Sequence, residues 1–179
     1  MKFIIVISLF LSLPLLVAGQ DDYVIDQFDR KIMGKVMLAT PAANAVEINF
    51  KGTDGSIRKY YPDEIKEWST GGLVYVSKLF AVNSKAGIWV YMLRLTPKNG
   101  KCQVYEYYNI TENVGYTETI LERDNQMEII NYGRFYKQLA NYFKDHESLA
   151  EEIIKKKYKK KELLTIVEIY NAWREELWK

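Results

Sequence analysis

The sequence predicts an α+β protein in which a mostly antiparallel β region is followed by a C-terminal bundle of about three helices. Segments that alternate apolar and polar residues fill much of the chain between residues 30 and 131, and turn-forming pairs separate them. From Gly133 onward, apolar residues recur at helical spacing. The β region is expected to consist of hairpins, with a small barrel or roll as one way to arrange them, and the helices are expected to pack on it.

The first 19 residues have the order of a secretory signal peptide. Lys2 precedes an apolar stretch over residues 3–17, and small residues follow before Gln20. That stretch is shorter than the roughly 20 residues a membrane-spanning helix needs. Cleavage is expected after Gly19, with cleavage after Ala18 as the alternative. We therefore expect a secreted protein, periplasmic or extracellular, with no transmembrane span in the mature chain.

The mature chain is expected to divide into a β region over residues 20–131 and a helical region over residues 132–179. Its first ten residues, 20–29, are polar and acidic and are expected to form a loose lead-in. Residues 32–39 are expected to form a strand. Residues 46–51 alternate strictly, and the Asp54-Gly55 turn signal joins them to a further strand over residues 57–61.

A short helical turn is expected next, over residues 62–68. Proline suits a first helical position, and Ile65 and Trp68 are three residues apart, so both side chains would face inward. Further strands are expected over residues 73–77, 88–95, 101–108, 116–122 and 126–130, with turns at Asn99-Gly100 and Asp124-Asn125.

Three helices are expected after Gly133. The first has Phe135, Leu139 and Tyr142 on one face. The second is expected to be capped by Asp145 or by Ser148, which forms a capping-box pattern with Glu151. Ion pairs four residues apart are expected between Glu151 and Lys155 and between Glu152 and Lys156. The third helix is expected over residues 161–177, with an apolar stripe of Leu163, Ile166, Tyr170, Trp173 and Leu177.

Three stretches together resemble a family of uncharacterised exported proteins from Bacteroidota. They run from Gly34 through Val46–Lys51 to Ile65, from Gly100 to Tyr107, and from Phe135 through Leu149–Ile153 to Asn171. Relatives often carry Cys and Pro after the residue equivalent to Asp145, where this chain has His146 and Glu147. The resemblance implies export and the β-then-α order, and it implies no assigned activity, substrate or catalytic residue.

Composition excludes several classes of function. One Cys and one His leave no internal disulfide framework and no Cys-rich or two-His metal site. The formal net charge of +2 does not indicate a nucleic-acid partner. Cys102 lies in a strand-like run and is expected to be buried, with an intermolecular disulfide as the alternative. No cofactor is expected.

No catalytic constellation emerges from the sequence. Asp145-His146-Glu147 is more typical of a helix N-terminus than of a metal site. Ser148 is the serine nearest to His146 and is expected to serve as a cap. The carboxylates of Asp63, Glu64, Glu67 and Glu106 are the candidates for a glycosidase-type hydrolase, although no spacing pairs them.

Two features indicate binding. Six lysines within seven positions concentrate positive charge, namely Lys155, Lys156, Lys157, Lys159, Lys160 and Lys161. The alternative is a solvated helix junction in which Tyr158 points inward. Tyr105 and Tyr107 share one face of a Tyr-rich strand, and tyrosine suits both sugar-binding surfaces and protein interfaces.

The sequence therefore favours an exported, non-enzymatic binding or envelope-associated interaction module. The partners expected for it are an envelope protein, a polysaccharide or an anionic lipid surface, and not a nucleic acid. A carrier with an apolar pocket between the sheet and the C-terminal helices is the alternative, and a carboxylate-based hydrolase is the third hypothesis.

Overall fold

The computed structural model describes residues 22–81, 87–111 and 114–177. The predicted signal peptide, residues 1–19, lies outside this range. The described residues form ten strands followed mainly by helices, which confirms the α+β class. The strands are β1 (Asp22–Asp26), β2 (Lys31–Met37), β3 (Ile48–Gly52), β4 (Ile57–Tyr60), β5 (Ile65–Thr70), β6 (Leu73–Phe80), β7 (Ile88–Arg94), β8 (Cys102–Thr111), β9 (Val114–Arg123) and β10 (Gln126–Ile129). The helices are α1 (Pro41–Asn44), α2 (Phe135–Tyr142), α3 (Glu147–Ile154) and α4 (Leu163–Glu176), and a 3₁₀ turn (Lys160–Glu162) precedes α4.

The strands form one open antiparallel sheet with the order β10-β9-β8-β7-β6-β5-β1-β2-β3-β4. Strands β1–β4 and β5–β10 are two meanders, and the pairing of β1 with β5 joins them. The expectation of a small barrel or roll is therefore wrong, since β10 and β4 lie at opposite ends of the sheet. Different parts of the sheet bury separate hydrophobic clusters.

The expected loose lead-in over residues 20–29 is wrong for residues 22–26, which form the interior strand β1. Its acidic residues misled the prediction because their charges are compensated. The Asp22 carboxylate accepts the Val36 N–H at 2.9 Å and lies 3.2 Å from the Lys35 ammonium. The Asp26 carboxylate accepts the Arg30 Nε–H at 2.7 Å. With both carboxylates satisfied, Val24 is fully buried between them.

The expected helical turn over residues 62–68 is also wrong, because Ile65 begins strand β5. The pairing of β1 with β5 shifts by one residue between Ile25 and Asp26, so Lys66 is the extra residue of a β-bulge. The bulge places Ile65 and Trp68 in the same buried cluster although they are three residues apart. A spacing typical of a helix thus arises here within a strand.

The predicted hairpin turns have mixed outcomes. Asp124 and Asn125 both have positive φ, of 52° and 62°, which confirms the tight turn between β9 and β10. Gly55 has a φ of 83° in the turn between β3 and β4, as its Asp-Gly signal predicts. The two-residue turn at Asn99-Gly100 is wrong, because residues 95–101 form a wider connection between β7 and β8.

The sheet divides where β7 meets β8. These strands pair at Leu93 and Arg94, and just beyond them the Leu95 N–H donates to the Val104 carbonyl at 2.8 Å, whereas β8 and β9 pair along their full length. Closer to the start of β7, the Tyr91 N–H donates instead to the Ala45 carbonyl at 2.8 Å. The residues of α1 and Ala45 therefore lie where the two strands separate.

Helices α2, α3 and α4 cover β8 and β9. Their apolar residues join Cys102, Val104 and Leu121 in one cluster. The predicted inward faces are confirmed for Phe135, Leu139, Leu163, Ile166 and Tyr170, which are at most 6% exposed. The predicted inward position of Leu177 is wrong, since this residue is 61% exposed at the end of α4.

The capping predictions for α3 are wrong. The residue before the helix is His146, whose side chain makes no capping hydrogen bond, and Ser148 lies within the first turn. The Asp145 carboxylate instead accepts hydrogen bonds from Arg123 at 2.9 Å and from the Tyr170 hydroxyl at 2.7 Å. A tertiary contact to a cation therefore takes the place of the local cap.

Candidate functional site

The six lysines of residues 155–161 lie in the connection between α3 and α4, and all six are exposed. We call residues 155–161 the lysine segment. The predicted pair of Lys155 with Glu151 is confirmed at 2.8 Å. The predicted pair of Glu152 with Lys156 is wrong, because α3 ends at Ile154 and Glu152 meets Lys157 at 2.5 Å instead.

The ammonium groups of the other lysines in the segment have no carboxylate within 4.0 Å among the described residues. These lysines are Lys156, Lys159, Lys160 and Lys161. The Lys160 ammonium donates to the Tyr132 carbonyl at 2.5 Å, which holds it without neutralising its charge. These four charges are therefore available to an anionic partner.

Lys156 has a φ of 57°, the left-handed conformation that favours glycine. The Lys156 N–H donates to the Ile153 carbonyl, and the Lys157 N–H donates to the Glu152 carbonyl at 3.0 Å. These two bonds are the Schellman pattern that ends a helix. A lysine stands at the position where glycine is usual, so the segment keeps a cation at a conformational cost.

Tyr158 is partly buried and packs against the helical cluster, as its place in the lysine run predicts. Its hydroxyl donates to Glu152 at 2.7 Å. Burial, followed by this hydrogen bond, raises the pKa of Tyr158 to about 12. The segment is thus anchored at its centre, and its lysines project around that anchor.

Tyr105 and Tyr107 do share a face of β8, but both are buried, at 3% and 6% exposure. The Tyr105 hydroxyl donates to Glu122 at 2.8 Å. The Tyr107 ring packs edge-on against Phe80 at 5.7 Å. Their cluster is separate from the one that anchors the lysine segment, so the structure does not bring these two sets of predicted residues together.

His146 lies at the start of α3 in the helical region. Its ring stacks on Trp173 at 4.5 Å, and Ser148 Oγ lies 3.3 Å from its Nδ1. Across residues 22–81, 87–111 and 114–177, no group of three or more His, Cys, Asp or Glu side chains is placed to hold a metal ion.

The four carboxylates considered for hydrolysis do not converge. Glu67 lines one cavity and Glu106 lines another. Asp63 and Glu64 are exposed in the turn before β5.

A charged groove that sequence reasoning missed lies at one end of β5–β9. Its volume is about 530 Å³. On one wall, the buried Glu67 carboxylate accepts the Tyr23 hydroxyl at 2.8 Å and one Arg94 N–H at 3.2 Å. The Lys98 ammonium lies 3.9 Å from the same Glu67 oxygen that Arg94 contacts. Burial, followed by the bond to Glu67, raises the pKa of Tyr23 to about 12.

A second set of residues that line the groove repeats this combination of a carboxylate, a cation and a tyrosine. The Glu122 carboxylate accepts the Lys78 ammonium at 2.6 Å and the Tyr105 hydroxyl at 2.8 Å. Burial is the main cause that raises the pKa of Tyr105. The sequence held one signal for this site: Lys78 and Arg94 are each the one charged residue of the otherwise uncharged strands β6 and β7. The strand register decides which charges face one another, and the local sequence does not predict this register.

A second cavity, of about 350 Å³, lies where β7 and β8 separate beside α1. Tyr75, Tyr91, Leu93 and Tyr108 line much of it, and Glu106 is its one carboxylate among the lining residues that the structure describes. The carrier hypothesis expected a pocket between the sheet and the C-terminal helices, but apolar side chains fill that interface. This cavity lies elsewhere, beside α1. We call this cavity the aromatic pocket.

Comparison with protein-family models, with curated proteins and with solved structures finds no match to this chain. Within the described residues, no helix combines the length and the apolar character that crossing a membrane requires. The geometry of the chain itself therefore carries the functional argument.

Proposed function

We propose that this protein is an exported, non-enzymatic module that associates with an anionic membrane surface of the envelope through its lysine segment. The observation that carries the proposal is the set of four exposed lysines whose ammonium groups have no carboxylate partner among the described residues. Clustered lysines near an anionic lipid surface contribute about 1 kcal/mol each. Four such charges therefore supply enough attraction for reversible binding at low salt.

The side chains that flank the lysine segment favour a lipid surface over a polysaccharide. Ile154 precedes the segment and is 53% exposed, and Leu164 follows it in α4 and is 38% exposed. Basic residues beside exposed apolar side chains are typical of proteins that lie on a bilayer surface. A polysaccharide would use the lysines and would gain little from these aliphatic groups.

Cell fractionation tests both parts of the proposal. The protein produced from its full sequence should reach the envelope fraction as a chain that begins at Gln20. Replacing Lys156, Lys159, Lys160 and Lys161 by Gln should move it to the soluble exported fraction. The matched control removes four exposed cations from the first meander, as Lys31, Lys51, Arg58 and Lys59 to Gln, and should stay with the envelope.

A small-ligand carrier is a second candidate, and the aromatic pocket favours it. Its volume of about 350 Å³ suits a small ligand, and tyrosine rings form much of its wall. Mass spectrometry of the intact protein under native conditions should then show a bound small molecule, which the substitution Leu93→Arg should displace. Recovery of the ligand-free mass alone would count against this candidate.

A further inference from the structure

The charged groove contains a guanidinium group whose hydrogen-bonding capacity is largely unused. Arg94 has five N–H donors, and among the described residues it donates one hydrogen bond, to Glu67 at 3.2 Å. The Arg94 side chain is only 13% exposed. Its remaining nitrogens are not among the buried polar atoms that lack a partner, so they face the water of the groove.

The charges around Glu67 are unbalanced. The carboxylate meets two cations through a single oxygen, Arg94 at 3.2 Å and Lys98 at 3.9 Å. Its other oxygen accepts the Tyr23 hydroxyl at 2.8 Å. One negative charge therefore faces two positive charges at this point of the groove, and the excess positive charge attracts a further anion.

The loop that carries Lys98 is held in place by Gln103. The Gln103 amide donates to the Pro97 carbonyl at 2.9 Å and to the Gly100 carbonyl at 2.7 Å. The Gln103 amide oxygen in turn accepts the Thr96 hydroxyl at 2.7 Å. Because these bonds fix the backbone on both sides of Lys98, little ordering remains to be done when a ligand binds.

We propose that the charged groove binds the oxyanion group of a small ligand, a carboxylate or a phosphate, between the Arg94 guanidinium and the Lys98 ammonium. The unused Arg94 donors form the fork that recognises such a group. The network of Glu122, Lys78 and Tyr105 also lines the groove and presents polar groups to the rest of the ligand. This site is independent of the lysine segment.

The test is an NMR titration of the secreted protein with sodium phosphate and, separately, with sodium acetate, at constant ionic strength in chloride. The Arg94 Nε–H signal and the amide signals of residues 97–100 should shift and saturate with at least one anion. Saturation with phosphate alone indicates a phosphate ligand, and saturation with acetate alone indicates a carboxylate. Shifts no larger than those in chloride would overturn the proposal.

Two substitutions make the test specific. Arg94→Gln should weaken binding by about tenfold or more, since it removes a charge-assisted fork. Lys98→Gln should weaken it by about threefold, and because the Lys98 side chain is 69% exposed, the fold should survive even if Arg94→Gln does not fold. Lys59→Gln, an exposed control outside the groove, should bind as the parent does. Equal binding by Lys98→Gln and Lys59→Gln would contradict the site.

Discussion

The side chain of Asn171 on α4 pairs with the backbone of Cys102 at the start of β8. Asn171 Oδ1 accepts the Cys102 N–H at 2.7 Å, and Asn171 Nδ2 donates to the Cys102 carbonyl at 2.9 Å. The amide thus satisfies both backbone groups of a residue at the edge of the β7–β8 connection, where β8 already pairs with β9 but not yet with β7. It ties the helical region to the sheet.

Asn171→Ala should lower the free energy of unfolding by about 1–2 kcal/mol, because it leaves the Cys102 N–H and carbonyl without their partner. Urea denaturation followed by circular dichroism measures this. Asn141→Ala is the matched control, since Asn141 is exposed on α2 and its side chain makes no hydrogen bond within the described part of the chain. Equal effects of the two substitutions would show that the Asn171 pair contributes nothing.

Gly100→Ala should also destabilise the protein, and by a mechanism coupled to Asn171. A Cβ atom at position 100 would lie 2.6 Å from Asn171 Nδ2, closer than atoms can approach. The expected cost is about 1–3 kcal/mol. In an Asn171→Ala background this clash is gone, so the cost should shrink. A double-mutant cycle in urea measures the coupling, and strict additivity would contradict the mechanism.

Lys156→Gly should stabilise the fold by about 1 kcal/mol, because glycine adopts the left-handed conformation of this position without steric cost. Lys155→Gly, one residue earlier at a φ of −71°, should instead destabilise it. Thermal unfolding of the two variants measures these opposite changes in stability. The account further predicts that Lys156→Gly weakens binding to anionic membranes while it raises stability. A loss of stability would contradict the assigned conformation.

The acid stability of the protein should depend on Asp22. Burial acts to raise the pKa of this carboxyl, but hydrogen bonds from the Val36 backbone, Thr70 and Lys35 outweigh it and hold the pKa below 3.8. A lowered folded-state pKa contributes stability above the unfolded pKa and loses it as the pH falls through the folded pKa. Stability from Asp22 is therefore complete near pH 6 and is lost below about pH 4.

Urea titrations between pH 2 and pH 6 test this for Asp22→Asn. The parent should be more stable than the variant at pH 6, and the difference should shrink below pH 4. Asp63→Asn serves as the control, since Asp63 is exposed in the turn before β5. A difference between the parent and Asp22→Asn that stays constant with pH would show that ionisation of Asp22 does not support the fold.

The Cys102 thiol should be unreactive in the native protein. Burial is the largest cause that raises its pKa, to about 12, and Cys102 has no exposed surface. Ellman's reagent should therefore modify it only after unfolding. Rapid labelling of the folded protein would show that the helices open away from β8. A disulfide-linked dimer on a non-reducing gel would support the alternative of an intermolecular bond.

Local patterns predicted most of the strands, two of the three tight turns and the helical region, because each depends on neighbours in the chain. The failures occurred where distant residues decide the outcome. From the sequence alone, Asp22 resembles a solvent-exposed acid. In the structure its carboxylate contacts Val36 and Lys35, which compensate its charge. Ile65 and Trp68 mimic a helix because a bulge against β1 puts both on one face.

The candidate sites show the same contrast. The exposure of the lysine segment depends on one helix junction, and its charge could be predicted directly from the sequence. The charged groove could not, since Glu67, Arg94 and Lys98 come from β5, from β7 and from the connection that follows β7. The pairing of β5 with β6 and of β6 with β7 brings them together.

Flotation of the purified protein with lipid vesicles tests the proposed function most directly. The protein should float with vesicles that contain about one-third anionic lipid and not with neutral vesicles, and it should be released as salt rises from low to physiological strength. The four-lysine variant at Lys156, Lys159, Lys160 and Lys161 should remain unbound, whereas the control variant at Lys31, Lys51, Arg58 and Lys59 should float. Equal flotation of the two variants, or binding that is indifferent to lipid charge, would contradict the account.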